Sequence, residues 1–433
     1  MKMNRREMLF AGGVSLLAGV RGFGQSTSAA PVQAQIPAAA ARLLSALKRN
    51  RLPLTIGDTP AGPGWDWLVR EASSARFALI GEEYGVAETA RFSSALFTTL
   101  RGSGYSRVAV ALSPAMSMDI EAAARRNGLQ GIVDLLKNPG AFTFYNTREE
   151  AQFVADVIKA APKNERVLWG LDREIFSDRY MISRLEPKVP QRGREAFTRL
   201  KDASTKAWAR NEQTKNPDDM FILAEDPALV TALQAAWPNP DRESETIMNT
   251  LEGSLAIETA ERTGGRWPYF QTRAQWMRNN FAALIRDAQG RKVAPKILMR
   301  FGYSHMIRGA NYLNIFDIGA MADEAAALTG EQAFHILVLP SPGSRQAVPG
   351  PKRSFGSVAT DDYDDFQAGD ARLTRVLPNA DATGHEVIDL RALRPMAMRG
   401  LESWNPDVVR TIYGYDAAVI WKGAHASTGL EAE

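Results

Sequence analysis

Acidic side chains and an imidazole follow the apolar segments of this 433-residue chain, at positions where buried strands would end. Glu82 follows one segment directly, Asp172 follows another, and His305 stands shortly after a third. Burial and like charges can shift the pKa values of such groups towards neutrality, as general acid–base catalysis requires. Taken singly, each carboxylate could instead cap a helix or form an ion pair. Together, the three residues predict a catalytic site.

Further polar side chains could complete this site. Arg273 and Asn280 lie on one face of a predicted helix. The guanidinium of Arg273 is planar and permanently charged, so we expect it to join the catalytic group by stabilising an oxyanion. A surface ion pair is the alternative for this arginine. The predicted substrate-binding residues are Glu83, Tyr84, Glu88 and Asn280.

Motifs that would define other kinds of site are missing from the sequence. It has no GxSxG elbow, Walker loop, GxGxxG fingerprint or HExxH motif. Without cysteine it has no thiolate nucleophile, disulfide or cysteine-ligated metal. We predict no metal site, although Glu82, Glu83, Glu88 and His305 carry ligand atoms, and the sequence leaves the cofactor open. His335, inside an apolar strand, is expected to be a core residue.

The elements that must position these groups alternate between strand and helix patterns. The predicted strands are 76–81, 106–112, 166–171, 296–301, 334–339, 386–390 and 417–421. Helical patterns lie between many of them, which indicates right-handed crossovers and a mainly parallel sheet. Because the carboxyl ends of parallel strands meet at one edge of a sheet, the acidic groups and His305 should converge there.

One long segment, 179–287, departs from this alternation, since it has few β-branched runs and many helical ones. We therefore predict an α/β fold with a mainly parallel sheet flanked by helices and with this segment as a long helical insertion. Residues 341–370 are rich in Gly, Pro, Ser and Asp and predict a surface loop. The predicted units are 1–34 as an export signal, 35–75 as a spacer with an N-terminal helix, and 76–425 as the α/β domain.

The first 34 residues have the features of an export signal. Arg5 and Arg6 precede an apolar run over 10–20, which is typical of a twin-arginine signal. An ordinary secretory signal with a chance arginine pair is the alternative. Because the run is shorter than the roughly 20 residues that span a bilayer, we expect the signal to be removed. A periplasmic or secreted protein without a stable membrane span should result.

The charge of the chain points to a small molecule as substrate or ligand. Residues 1–34 hold four of the 52 basic residues and one of the 49 acidic residues, so 48 of each remain in the body. Nucleic acid requires a concentrated positive surface, and a neutral body without a Lys/Arg block does not supply one. We therefore expect no nucleic-acid partner.

A combination of short motifs resembles the erythromycin esterase-like family. The matching stretches are Gly81-Glu82, Gly170-Leu171-Asp172, Arg273 with Met277 and Asn280, and the strand that leads to His305. The resemblance spans roughly 77–305. More remotely, the chain is similar to the iron-regulated haem-binding lipoproteins of the same superfamily.

This resemblance implies a hydrolase that activates water to cleave an ester. Carried over by position, His305 would be the general base, and Glu82 would orient either the imidazole or the water. Asp172 and Arg273 would support them, with Arg273 on the oxyanion. The substrate itself is not implied by these residues.

Two positions depart from the family pattern. A histidine is expected shortly after the Gly-Glu pair, where this chain has Tyr84, and a glutamate is expected after the second strand, where it has Ser113. A tyrosine with an ordinary pKa of about 10 is a poor base at neutral pH. The alternative is therefore a periplasmic ligand-binding protein or pseudoenzyme on the same fold. Haem would be one possible ligand, with Tyr84 or His305 as axial ligand.

Overall fold

The computed structural model describes residues 38–57, 59–162, 165–291, 294–340, 343–346, 357–359, 384–399 and 406–430. The predicted export signal over 1–34 and most of the predicted loop over 341–370 lie outside the described residues. The described residues form one large sheet with helices on both faces and a group of helices beyond it.

Within the described residues, the large sheet has eight strands. They are β1 Arg51–Leu54, β2 Phe77–Glu82, β3 Tyr105–Val110, β4 Leu168–Gly170, β5 Lys296–Gly302, β6 Ala333–Pro340, β9 His385–Asp389 and β10 Ala417–Trp421; β7 Ser344–Gln346 and β8 Ser357–Ala359 pair separately. The order across the sheet is β1-β9-β10-β6-β2-β5-β3-β4. Neighbours from β10 to β4 are parallel, and β9 is antiparallel to both its neighbours. The predicted α/β fold with a mainly parallel sheet is confirmed.

Helices cover both faces of the sheet. Their bounds are α1 Ala38–Arg49, α2 Pro63–Ser74, α3 Ala87–Leu100, α4 Pro114–Leu136, α5 Arg148–Ala160, α6 Asp178–Leu185, α7 Arg194–Thr214, α8 Phe221–Ala224, α9 Ala228–Ala236, α10 Arg242–Gly264, α11 Arg266–Gly290, α12 Tyr303–Met306, α13 Ile318–Ala327, α14 Arg394–Arg399 and α15 Pro406–Gly414. Because helices cover both faces, β2 is buried along its whole length and β5 is buried after its first residue, as in parallel sheets generally.

The two faces of β2 carry alternate residues, as the period of a strand requires. Ala78 and Ile80 pack with α2, α3, α4 and α5 on one face, whereas Phe77 and Leu79 pack with α11, α13 and α15 on the other. Glu82 continues the first of these two sets. The sheet therefore directs Glu82 towards the layer that contains α5.

The helical segment contains α6 to α11 and has an apolar core of its own. Its last helix returns to the sheet, because Met277 and Phe281 of α11 pack against the face that carries Leu79. A kink in α4 has a local cause: Gly128 has a φ of 55° there, a conformation that suits glycine. Among the described residues, no helix combines the length and apolar character that a membrane span would need.

The segment 35–75 contributes more to the sheet than a spacer would. Its strand β1 pairs antiparallel with β9 and includes Pro53. Proline lacks an N–H donor and is tolerated in an edge strand, and β1 is the edge of this sheet. The strand was missed because a single proline outweighed a short apolar pattern.

Candidate active site at the carboxyl ends of the strands

Glu82, Asp172 and His305 all lie at the carboxyl edge of the sheet and are buried. Glu82 ends β2, Asp172 follows β4, and His305 lies in the short helix α12 directly after β5. Burial raises the pKa of the Tyr84 hydroxyl above its ordinary value, and the carboxylates of Glu82 and Asp172 raise it further. Tyr84 therefore lies within electrostatic range of both carboxylates, at the edge of the sheet where the acidic groups were expected to meet.

His305 is oriented by a carboxylate that the sequence analysis missed. Its Nδ1 lies 2.7 Å from Oδ2 of Asp317, whose Oδ1 accepts a hydrogen bond from the Ile318 amide at the start of α13. The Nε2 atom is buried and has no hydrogen-bond partner. Glu82 therefore does not orient the imidazole. The alternative role, in which Glu82 orients the attacking water, stays a prediction. The local signal for Asp317 was its place as a helix N-cap.

Glu82 belongs to a buried cluster of two carboxylates and one arginine. Its Oε2 accepts a hydrogen bond of 2.6 Å from Nη2 of Arg300, a strand residue with no exposed surface. The same guanidinium binds both oxygens of Glu150 on α5 at 2.6 Å. Oε1 of Glu82 is buried without a partner. Burial raises the pKa of Glu82 to about 8, although Arg300 opposes the shift.

This shift predicts a particular pH dependence of stability. Between the ordinary pKa of 4.5 and about 8, folded Glu82 holds a proton that the unfolded chain has released. The free energy of unfolding therefore falls as the pH rises through this window. Glu82→Gln removes that loss, so the stability of the variant relative to wild type should rise from pH 5 to pH 8. Urea denaturation at several pH values measures the difference; a pH-independent difference contradicts the assignment.

Asp172 and Arg273 form a buried pair. Two parallel hydrogen bonds join them, one of 2.9 Å from Nε to Oδ1 and one from Nη2 to Oδ2. Burial would raise the pKa of Asp172, but Arg273 lowers it below its ordinary value, and a charge on His305 lowers it further. Arg273 is therefore engaged by a carboxylate rather than open to an oxyanion. Asp172 carries a negative charge within electrostatic range of the imidazole.

The four predicted substrate-binding residues differ in the groups that they contact. Asn280 donates to the Leu171 carbonyl at 3.0 Å, and Glu88 is engaged through both oxygens by His425. Glu83 acts electrostatically on the pKa of Glu82. The Tyr84 hydroxyl accepts a hydrogen bond of 2.8 Å from the Gly302 amide. Of the four, Glu83 and Tyr84 lie beside Glu82, whereas Asn280 and Glu88 hold backbone segments in place.

Ser113, which stands where the family pattern has a glutamate, is bound by a carboxylate from another loop. Ser113 donates from Oγ to Oε2 of Glu174 at 2.8 Å, and Oε1 of Glu174 accepts from the amides of 175–177. The loop after β4 thus supplies the carboxylate. Sequence reasoning missed Glu174 because it is distant in the chain from Ser113.

The surroundings of Tyr84 do not fit haem. The cavity beside this residue has a volume of about 20 Å³, which is room for about one water molecule. Its hydroxyl is engaged by Gly302, and its raised pKa disfavours a phenolate ligand. Among the residues with described positions, no three His, Cys, Asp or Glu side chains form a group that could hold a metal ion.

Comparison with known proteins shows similarity in fold at low sequence identity. No protein-family model and no curated protein matches the chain. A Bacillus cereus protein is 13% identical with a TM-score of 0.59, over 91% of this chain and 100% of its own. A succinoglycan biosynthesis protein is 12% identical with the same TM-score and coverage. The erythromycin esterase EreC, as a histidine-to-asparagine variant in its open conformation, is 13% identical with a TM-score of 0.53, over 85% of this chain and 95% of its own.

The chain has an erythromycin esterase-like fold. The fold that the sequence resemblance implied is therefore confirmed. At 12–13% identity, the likeness extends to the fold alone. A haem-binding protein, ChaN of Campylobacter jejuni, has a TM-score of 0.31, which is too low to support an argument about function.

Proposed function

We propose that the protein is a hydrolase of small esters or lactones in which His305 is the general base. The observation that carries this proposal is the His305–Asp317 pair, with Nδ1 bound to the carboxylate and Nε2 unpartnered. A proton held on Nδ1 leaves the lone pair of Nε2 free to accept a proton from water. The water oxygen then attacks the carbonyl carbon, and the imidazolium returns the proton to the departing alkoxide.

The surrounding charges suit such a step. Asp172 is ionised and within range of His305, so it favours the imidazolium that forms as water is deprotonated. Arg273 holds Asp172 in place through two hydrogen bonds. Burial raises the pKa of Glu82 to about 8, so its largely neutral carboxyl adds little negative charge to the edge of the sheet where the hydroxide would form.

The substrate class rests on the esterase-like fold, and turnover tests it directly. The protein without residues 1–34 is incubated with p-nitrophenyl acetate, p-nitrophenyl butyrate and erythromycin, and release of nitrophenol or opening of the lactone is followed. We expect turnover of at least one ester above the rate in buffer. Absence of turnover on all three, by folded protein, counts against the hydrolase.

A ligand-binding pseudoenzyme is the second candidate. It is favoured by Tyr84, which stands in place of the family histidine and whose hydroxyl is engaged by the Gly302 amide. This candidate requires the same three compounds to raise the melting temperature without being consumed. Haem is not the expected ligand, because the space beside Tyr84 is too small.

We also propose export by the twin-arginine route to the periplasm or beyond. The support is the pair Arg5-Arg6 ahead of a short apolar run. Replacing both arginines by lysine should retain the full-length protein in the cytoplasm, because the twin-arginine receptor reads this pair. Cell fractionation and immunoblotting measure its location. Unchanged export of the double variant would favour an ordinary secretory signal.

A further inference from the structure

A small cavity adjoins Glu82 on the side of the sheet that faces α5. It is lined by Glu82, Tyr84, Tyr145 and Glu150 together with Gln346, which comes from the distant strand β7. Its volume of about 20 Å³ matches one water molecule. The backbone of Gln346 is fixed there, since its amide donates to the Gly85 carbonyl at 2.8 Å.

Three buried polar atoms of the residues that line this cavity have no hydrogen-bond partner. They are Oε1 of Glu82, the hydroxyl of Tyr145 and Nε2 of Gln346, on residues that are 1%, 2% and 3% exposed. Buried polar groups are rarely left without a partner, and a buried water typically makes two to four hydrogen bonds. One molecule between the three would satisfy them all.

We propose that this cavity is a binding site for one water molecule, held by Glu82, Tyr145 and Gln346. Because Oε2 of Glu82 accepts from Arg300, the proton of the neutral carboxyl belongs on Oε1 and is donated to the water. The water also accepts from Gln346 and donates to Tyr145. If Glu82 loses its proton, the water turns and donates to Oε1 while Tyr145 donates to the water. Water suits both states because it donates and accepts.

The charges around the cavity explain why its occupant is neutral. Glu150 on α5 and Glu82 share the single guanidinium of Arg300, and Glu83 adds a further carboxylate near Glu82. Within the hydrogen-bonded cluster, the carboxylates of Glu82 and Glu150 and the guanidinium of Arg300 leave one negative charge in excess, which either a proton on Glu82 or a monovalent cation would balance. Burial of Glu82 favours the proton, which leaves a neutral site for water.

Tyr145 and Gln346 are consequently positioning residues that act on Glu82 through the water. Loss of the water leaves Oε1 less solvated, which disfavours the charged carboxylate. Tyr145→Phe and Gln346→Leu should therefore move the titration of Glu82 to higher pH, by about one unit. This inference concerns a bound solvent molecule and does not depend on turnover.

A high-resolution crystal structure of the wild-type protein tests the site itself. We expect one water within about 3.2 Å of all three atoms. An empty cavity overturns the proposal. A cation is distinguished by the melting temperature at equal ionic strength: a higher value in ammonium or potassium chloride than in tetramethylammonium chloride identifies a cation and also overturns it.

Infrared spectroscopy tests the positioning role. The carbonyl stretch of protonated Glu82 is identified by its loss in Glu82→Gln, and its titration is then followed in Tyr145→Phe and Gln346→Leu. The matched control is Tyr105→Phe, since the hydroxyl of Tyr105 is buried but donates to the carbonyls of Ala72 and Ala75. A higher midpoint in both cavity variants and not in the control supports the assignment. Unchanged midpoints in folded cavity variants refute the positioning role.

Discussion

Replacing His305 by glutamine is expected to lower kcat for ester hydrolysis by about 10²- to 10⁴-fold, the usual contribution of a positioned general base. The glutamine amide can still donate a hydrogen bond to Asp317, so that carboxylate is not left buried without a partner. It has no nitrogen that can accept a proton from water. Steady-state kinetics with p-nitrophenyl esters measure the loss, and circular dichroism at rising temperature shows whether the fold is kept.

The same substitution at another histidine shows whether a fall in kcat is specific to the loss of the base. His425→Gln changes an imidazole whose side chain is 79% exposed, and it should leave kcat unchanged. Retention of wild-type kcat by His305→Gln would remove this residue as the base.

Asp317→Asn extends the test from the base to its orientation. An amide at this position can donate to Nδ1 of His305, which would fix the proton on Nε2 and remove the lone pair that should accept from water. In hydrolases with an Asp–His pair, the aspartate likewise holds the imidazole in the tautomer whose Nε2 can accept a proton. We expect a kcat lower by at least about 10²-fold with a nearly unchanged KM. Equal activity would show that the pair serves stability alone.

The sheet and its order of elements could be predicted because hydrophobic alternation is a local property. The last strand, Ala417–Trp421, was predicted residue by residue. The edge at which the site lies followed from parallel pairing. The strand β1 was missed because it contains a proline, which fits a sheet only in an edge strand. Its place at the edge is set by pairing with β9, which lies more than 300 residues away in the chain.

The partners of the site residues could not be predicted, because distant segments supply them. Glu82 is bound by Arg300, and Arg300 is bound by Glu150 from a helix on one face of the sheet. An arginine within an otherwise apolar strand was the available signal, since a buried charge requires a partner. The identity of that partner depends on how α5 packs on the sheet. For the same reason, Arg273 was assigned to an oxyanion when its partner is Asp172.

Replacing Arg300 by methionine should destabilise the fold by about 3–5 kcal/mol, the range found when one member of a buried ion pair is removed. The side chain has no exposed surface, and its loss leaves the carboxylate of Glu150 without a cation beside the carboxyl of Glu82. Urea denaturation at pH 7 measures the change. Arg199→Met is the matched control, because its pair with Glu195 is exposed, and its effect should stay below about 1 kcal/mol.

The origin of this loss can be separated from simple changes in packing. If uncompensated charge is the cause, adding Glu82→Gln and Glu150→Gln to Arg300→Met should recover much of the stability, since replacing every member of a buried ionic group is far less costly than removing one. A deficit that persists in the triple variant would instead assign the stabilising role of Arg300 to its packing, including the contact of its guanidinium with the Phe153 ring.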